Sequence, residues 1–330
     1  MIVPKYWSES KTKKVVGGRQ FTIKRFGWSD ESELEAKKHA DSRLNDAVQT
    51  LERDGDVRRI DHKTSYNGAE GIPIREEVMS THQDVVISRN TYGALCLNTP
   101  DVLFADIDFE YSIPFTINMI AFVVLLSLAS VAALFFQQWF FQTWAAFAVG
   151  VVIALMLTST LAGFINSLVQ RITGGQEAKA LKRIKQVSSE NTALHLRLYR
   201  TPMGYRVLVM NDVYSPTSEE AIRLLTDLQS DATYIQMCKN QQCFRARVSP
   251  KPWRIGIERL KPNSGVWPIK SERLRERTRW VSIYDKKARS YASCHYLLAL
   301  GSNKVHKKAE FVRKIHDDMC NTAKSSFDIA

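Results

Sequence analysis

Two long apolar runs divide the chain. Phe115–Phe136 reads FTINMIAFVVLLSLASVAALFF and Trp144–Ile165 reads WAAFAVGVVIALMLTSTLAGFI. Each would reach about 33 Å as an α-helix, against a hydrocarbon core of about 30 Å. No Asp, Glu, Lys or Arg occurs from Tyr111 to Gln170, a window of 60 residues. Length and absence of charge together predict a two-helix transmembrane hairpin rather than a buried helical pair in a soluble core. The short connection Gln137–Thr143 carries Trp139, with Trp144 just beyond it, the residue type expected at a membrane–water boundary.

Outside that window the pattern changes to short strands and amphipathic helices. Arg19–Trp28 predicts a strand, and Asp30 with Glu33 predicts a capping box opening a helix whose apolar stripe ends near Gly55. Ser65–Ile74 predicts a turn cluster; Val85–Ser88 and Val102–Asp108 predict strands. Beyond the hairpin, Glu177–Ser189 predicts a basic helix. Leu194–Tyr199 and Tyr205–Met210 predict strands joined by Arg200–Gly204. Ser218–Ser230 predicts a helix, Tyr234–Cys238 and Cys243–Val248 predict strands around a polar turn, and His306–Thr322 predicts a helix. The expected fold is an α+β cytoplasmic domain, a mixed or antiparallel sheet with helices, interrupted by the hairpin. Its expected parts are an N-terminal α+β region (1–100), a strand segment carrying two aspartates (101–114), the hairpin (115–166, helices 115–136 and 144–165) and a basic α+β region (171–330) that completes the domain. Packed antiparallel helices lie about 8–10 Å apart, so the chain would return almost where it left and one fold could tolerate the insertion.

Charge sharpens this picture. Residues 1–114 hold 16 Lys and Arg against 19 Asp and Glu, and residues 171–330 hold 30 against 15, leaving the overall +12 concentrated in the back segment. Arg171, Lys179, Lys182, Arg183 and Lys185 follow the second apolar run, and the connection between the runs has no cation. The positive-inside rule then places both termini in the cytoplasm of a two-pass protein of the bacterial inner (plasma) membrane. The opening MIVPKYW lacks the apolar region of a signal peptide. Hydrophobic residues at 45% and charged residues at 24% exclude a wholly disordered or fibrous chain. The five cysteines (Cys96, Cys238, Cys243, Cys294, Cys320) follow no disulfide framework, and their spacing does not predict a zinc site.

Candidate chemistry begins at Val102–Asp108, where an apolar run leads into Asp106 and Asp108. On a strand, residues i and i+2 share a face, and two carboxylates directed together favour a bound cation. Mg²⁺ suits such oxygen ligands and shares them with phosphate. The plainer reading is a strand end with solvated acids. Three pieces occur in order: Asp106-Ile107-Asp108, the hairpin YRTPMGYRVLV (Tyr199–Val209), and DATYIQMCKNQQCFRARVSPK (Asp231–Lys251). This order resembles the archaeo-eukaryotic primase-polymerase superfamily, and the whole chain resembles two-helix proteobacterial membrane proteins with no assigned activity. The primase resemblance implies that Asp106, Asp108 and Asp231 hold Mg²⁺ as catalytic ligands, with Asp231 on a strand. It also implies that Arg200, Arg206, Arg245, Arg247 and Lys251 bind a nucleoside triphosphate. Arg206 stands where that family has a histidine, and a guanidinium can hold phosphate bidentately.

Three functions follow as expectations. The first is a membrane-anchored, Mg²⁺-dependent nucleotide-binding or nucleotidyltransferase-like protein. Under that reading Trp253, Trp267, Trp280 and Tyr284 interleave with cations as base-stacking residues do. The second is a catalytically inactive relative that binds nucleic acid, nucleotide or anionic lipid at the lipid bilayer. The third is a membrane-bound glycosyltransferase that uses the same Asp-x-Asp with a nucleotide sugar.

Overall fold

A computed structural model describes residues 1–61, 71–109, 112–135, 143–259, 267, 269 and 271–330. The chain divides into two units: Met1–Ile107 with Val187–Ala330, and Asp108–Gln186. The first unit is therefore built from chain on both sides of the apolar hairpin.

It opens with β1 (Tyr6–Val16) and β2 (Arg19–Ser29), paired antiparallel through Gly17 and Gly18. Both glycines have positive φ, the backbone a two-residue hairpin turn requires. Helix α1 (Glu33–Asp54) follows. Its cap is Ser32, whose hydroxyl accepts from Glu35 N, two residues later than the expected Asp30. Gly55, in the left-handed region, closes it by donating to Leu51 O. Leu44, Ala47 and Leu51 pack on Phe21 and Ile23 of β2. A side chain at Gly27 would collide with the α1 backbone at Ala36 and Ala40, so helix and strand meet here at glycine distance.

A four-stranded antiparallel sheet follows in the order β3 (Glu77–His82), β4 (Val85–Arg89), β5 (Leu95–Thr99) and β9 (Phe244–Arg247). A second four-stranded sheet runs β10 (His295–Gly301), β7 (His195–Thr201), β8 (Gly204–Val209), β6 (Phe104–Asp108). Each sheet thus joins strands from before and after the apolar hairpin. Every residue of β8 is buried, as expected of an inner strand. Helices α5 (Glu219–Asp227), α6 (Ala232–Gln241), α7 (Ser271–Ala288) and α8 (Lys307–Cys320) and a short 3-10 turn at Pro252–Ile255 complete this unit. Strands β1, β3, β5 and β10 and helix α7 add to the elements read from sequence.

One element differs in kind. Tyr234–Cys238 is helical, within α6, and not a strand. Tyr234, Met237, Cys238 and Gln241 are its buried positions. That spacing follows a helix face even though Tyr and Ile favour strands.

The second unit contains α2 (Phe115–Phe135), α3 (Thr143–Thr173) and most of α4 (Gly175–Glu190). Among the described residues two stretches hold an 18-residue window long and apolar enough to cross a membrane: one within Phe115–Leu134, mean hydropathy 2.4, and one within Phe147–Glu190, mean hydropathy 2.2. Their outer faces present Leu128, Leu134, Met156 and Phe164. Their inner faces are small: Ala121, Ala133, Ala154 and Ala162 are buried, and a Cβ at Gly150 would press on Ala129. Small residues let two helix backbones approach closely where no hydrophobic drive separates core from surroundings. Gly174 and Gly175, both at positive φ, break α3 from α4, whose Lys179, Lys182 and Lys185 are exposed. The expected connection Gln137–Thr143 lies outside the described residues except for Thr143, as does most of the Ser65–Ile74 turn cluster.

Candidate functional site

The end of β6 carries the two aspartates. Asp106 keeps about a third of its side chain exposed (35%), and Asp108 is exposed. Facing Asp106 from the middle of β8 is Arg206, only 2% exposed. Arg206 Nε donates to Asp106 Oδ1 at 2.8 Å and Nη2 to Oδ2 at 3.3 Å, a bidentate charge-assisted pair. Nη1 donates to Arg247 O at 2.9 Å and lies 3.3 Å from His316 Nε2. Burial alone would make this guanidinium easier to deprotonate, but the charge and hydrogen bonds of Asp106, with Cys294 and Cys320, together outweigh it and hold Arg206 protonated. One side chain therefore joins β6, β8, β9 and α8.

Asp231 is brought to the same neighbourhood by its chain neighbour: Ser230 Oγ donates to Asp106 O at 2.9 Å. The Asp231 carboxylate itself caps α6, accepting from Tyr234 N at 2.8 Å. Tyr234 OH donates to Phe104 O at 2.9 Å and accepts from Arg245 N at 3.3 Å, tying α6 to both sheets. Asp231 thus stands at the start of a helix rather than on the strand the resemblance implied.

The cations expected to meet phosphate divide into two groups. Arg206 and Arg245 are buried in ion pairs. Arg245, 6% exposed, reaches both Glu76 oxygens at 2.7 Å and Asn98 Oδ1 at 3.1 Å. Arg200, Arg247 and Lys251 are half-buried. Arg200 Nη1 closes the β7–β8 turn through Thr201 O and Gly204 O, both at 2.9 Å, and Arg247 Nη1 donates to Ser249 O at 3.0 Å. Lys251 lies over the Trp253 ring, 5.6 Å from its centroid, and Arg259 lies over the same ring at 4.6 Å. Trp253 is 42% exposed. Of the other aromatic residues expected to stack on bases, Tyr284 is fully buried and donates to Pro250 O. Trp280 stacks on Tyr284 with centroids 5.0 Å apart, and the Arg277 guanidinium lies 5.3 Å from the centroid of Trp267. Arg273, Arg275, Arg279, Lys286 and Lys287 are exposed along α7.

A third cluster was not legible as such. Cys294, His316 and Cys320 are each fully buried, and their ligand atoms lie within 4.8 Å of one another. Among the described residues this is the convergent set of three that could hold a metal ion, and the three aspartates are not part of it. His316 Nε2 lies 3.9 Å from Cys294 Sγ, and Nδ1 lies 3.0 Å from Asp317 Oδ1. Burial pushes the Cys294 thiol up, but Cys320, His316 and Arg206 outweigh it and hold the thiol well below its ordinary value. The available signal was His316-x-x-x-Cys320, two ligands one helical turn apart on α8. Its partner Cys294 is remote in sequence, and the neighbouring His295 is not a member.

Compared with protein-family models, with curated proteins and with solved structures, the chain matches none.

Proposed function

We propose that this chain is a two-pass membrane protein of the bacterial inner membrane whose cytoplasmic domain binds nucleic acid or nucleotide at a basic face around Trp253. The observation that carries the reading is an exposed indole ring with Lys251 and Arg259 over it, within a back segment holding 30 cations against 15 acids. Aromatic faces receive bases, and adjoining cations neutralise the backbone. Binding is favoured over metal-dependent transfer because Asp106 already has a guanidinium partner in Arg206. A ligand role for Asp106 would require that pair to open. The two apolar helices and the cations on α4 support the membrane part.

The test uses the full chain in detergent or nanodiscs and a labelled single-stranded oligonucleotide, read by fluorescence anisotropy at graded salt. Binding should weaken log-linearly with salt, by about 0.7 log units per log unit of salt for each phosphate neutralised. Trp253→Ala should weaken it about tenfold, equivalent to about 1.4 kcal/mol, within the range for one stacked base. No binding at low salt, or an unaltered Trp253→Ala variant, overturns the reading.

A second reading, Mg²⁺-dependent nucleotidyl transfer, has one specific support: the hydrogen bond from the Ser230 hydroxyl, one residue before Asp231, to the backbone carbonyl of Asp106. Incorporation of labelled nucleotide that needs Mg²⁺ and is lost in Asp108→Asn would favour it. Asp108 is the better probe because its substitution leaves the Arg206–Asp106 pair in place.

A further inference from the structure

We infer that Cys294, His316 and Cys320 form a zinc site that fastens the end of α8 to the segment entering β10. Zinc–sulfur bonds of about 2.3 Å and zinc–nitrogen bonds of about 2.0–2.1 Å, spread tetrahedrally, set neighbouring ligand atoms about 3.5–3.8 Å apart. Cys294 Sγ and His316 Nε2 are 3.9 Å apart, and all three ligand atoms lie within 4.8 Å of one another. Side-chain shifts of up to about an ångström would close such a site.

The surroundings fit a metal ligand better than plain core packing. His316 Nδ1–H donates to Asp317 Oδ1 at 3.0 Å, which leaves the lone pair on Nε2 to bind a metal, the carboxylate–imidazole arrangement that orients metal-bound histidines. The ring is further held between Phe104 and Tyr199, at centroid distances of 5.2 and 4.8 Å. Ser293 N donates to Cys320 O at 3.0 Å, so the backbone already brings the two cysteine segments together.

Charge agrees. Two thiolates balance the dication, so the site adds no net charge to a fully buried region. Among the described residues Arg206 is the cation that approaches it, with Nη1 3.3 Å from His316 Nε2. That nitrogen also donates to Arg247 O at 2.9 Å, and the rest of the guanidinium is held by Asp106. Arg206 therefore keeps its other acceptors when Nε2 turns to the metal. Two thiolates and one imidazole select zinc over oxygen-seeking Mg²⁺. Three protein ligands leave one coordination position for a small enclosed ligand.

The experiment is metal analysis of the full chain, purified reduced in detergent from zinc-supplemented cells. The expected result is about one zinc per chain by inductively coupled plasma mass spectrometry, with the stoichiometry expected of three protein ligands on one ion. Exchange with cobalt should add a thiolate-to-cobalt charge-transfer band and the visible bands of tetrahedral cobalt. Cys320→Ser and His316→Gln should lose at least half the bound metal, while Cys96→Ser and Cys238→Ser retain it. X-ray absorption of the unmutated zinc form tests the site without relying on variants that fail to fold: two sulfur neighbours are expected, and a shell of oxygen and nitrogen alone overturns the proposal. A reduced chain that carries no zinc and takes up no cobalt also overturns it. So does an intact mass two hydrogens lighter with a Cys294–Cys320 peptide link, which would make the pair a disulfide.

Discussion

Arg206 and Arg245 share a position in the architecture: each guanidinium lies inside a sheet and each is answered by a carboxylate from another strand or its approach. In Arg245–Glu76 both partners are buried, so removing one charge strands the other. Glu76→Gln is expected to cost about 3–5 kcal/mol in urea unfolding, whereas replacing both partners with apolar residues of similar volume should recover most of that loss. A full loss in the double variant would mean that the pair is needed for more than mutual neutralisation. The same physics explains how these residues read in the sequence. An arginine in a strand looks identical whether it faces phosphate or a carboxylate far away in the chain. Arg206 and Asp106 are separated by the whole apolar hairpin, so local spacing could not pair them. The acids at the end of β6 were legible because a strand places i and i+2 together. Their charge partner was not.

At the scale of elements, α6 is the instructive case. Its strand-forming residues Tyr234 and Ile235 suggested β structure, yet Asp231 starts a helix and the buried positions keep helical period. A capping role makes a measurable demand. Asp231→Ala should lower stability by about 0.5–2 kcal/mol, and Asp231→Asn or Asp231→Ser should restore most of it, because either side chain can still accept from Tyr234 N. If Asp231→Asn is as harmful as Asp231→Ala, the negative charge itself matters, and the Mg²⁺ reading gains ground. Helices with strong periodicity were legible at close to their observed bounds, as α1, α5 and α8 show. Strands β1 and β10 were not. The charged positions of β1 alternate with Ser and Thr rather than with large apolar residues, and β10 is exposed at Tyr296 and Leu297, so neither shows the half-buried alternation that marks a strand.

For the whole molecule, the apolar hairpin was the most legible feature because length and absence of charge are counted directly from the residues. The closing of the domain across it was expected on geometric grounds, and both four-stranded sheets draw strands from before and after it. This joint construction restricts topology more strongly than hydropathy does. Residues 1–107 and 187–330 form one unit, so they must lie in the same compartment, and the chain between them must cross a bilayer an even number of times. The metal cluster belongs to this scale too: its cysteines and histidine meet only after α8 has packed against the segment entering β10, and no single stretch of sequence contains all three ligands.

The most direct measurement of that architecture is a set of topology reporters on the full chain in bacteria, placed at the N-terminus, within residues 137–142 and after Ala330. Both terminal fusions are expected to report the cytoplasm and the internal fusion the periplasm. Terminal fusions on opposite sides of the membrane would contradict it, because the strands of each sheet could not then meet.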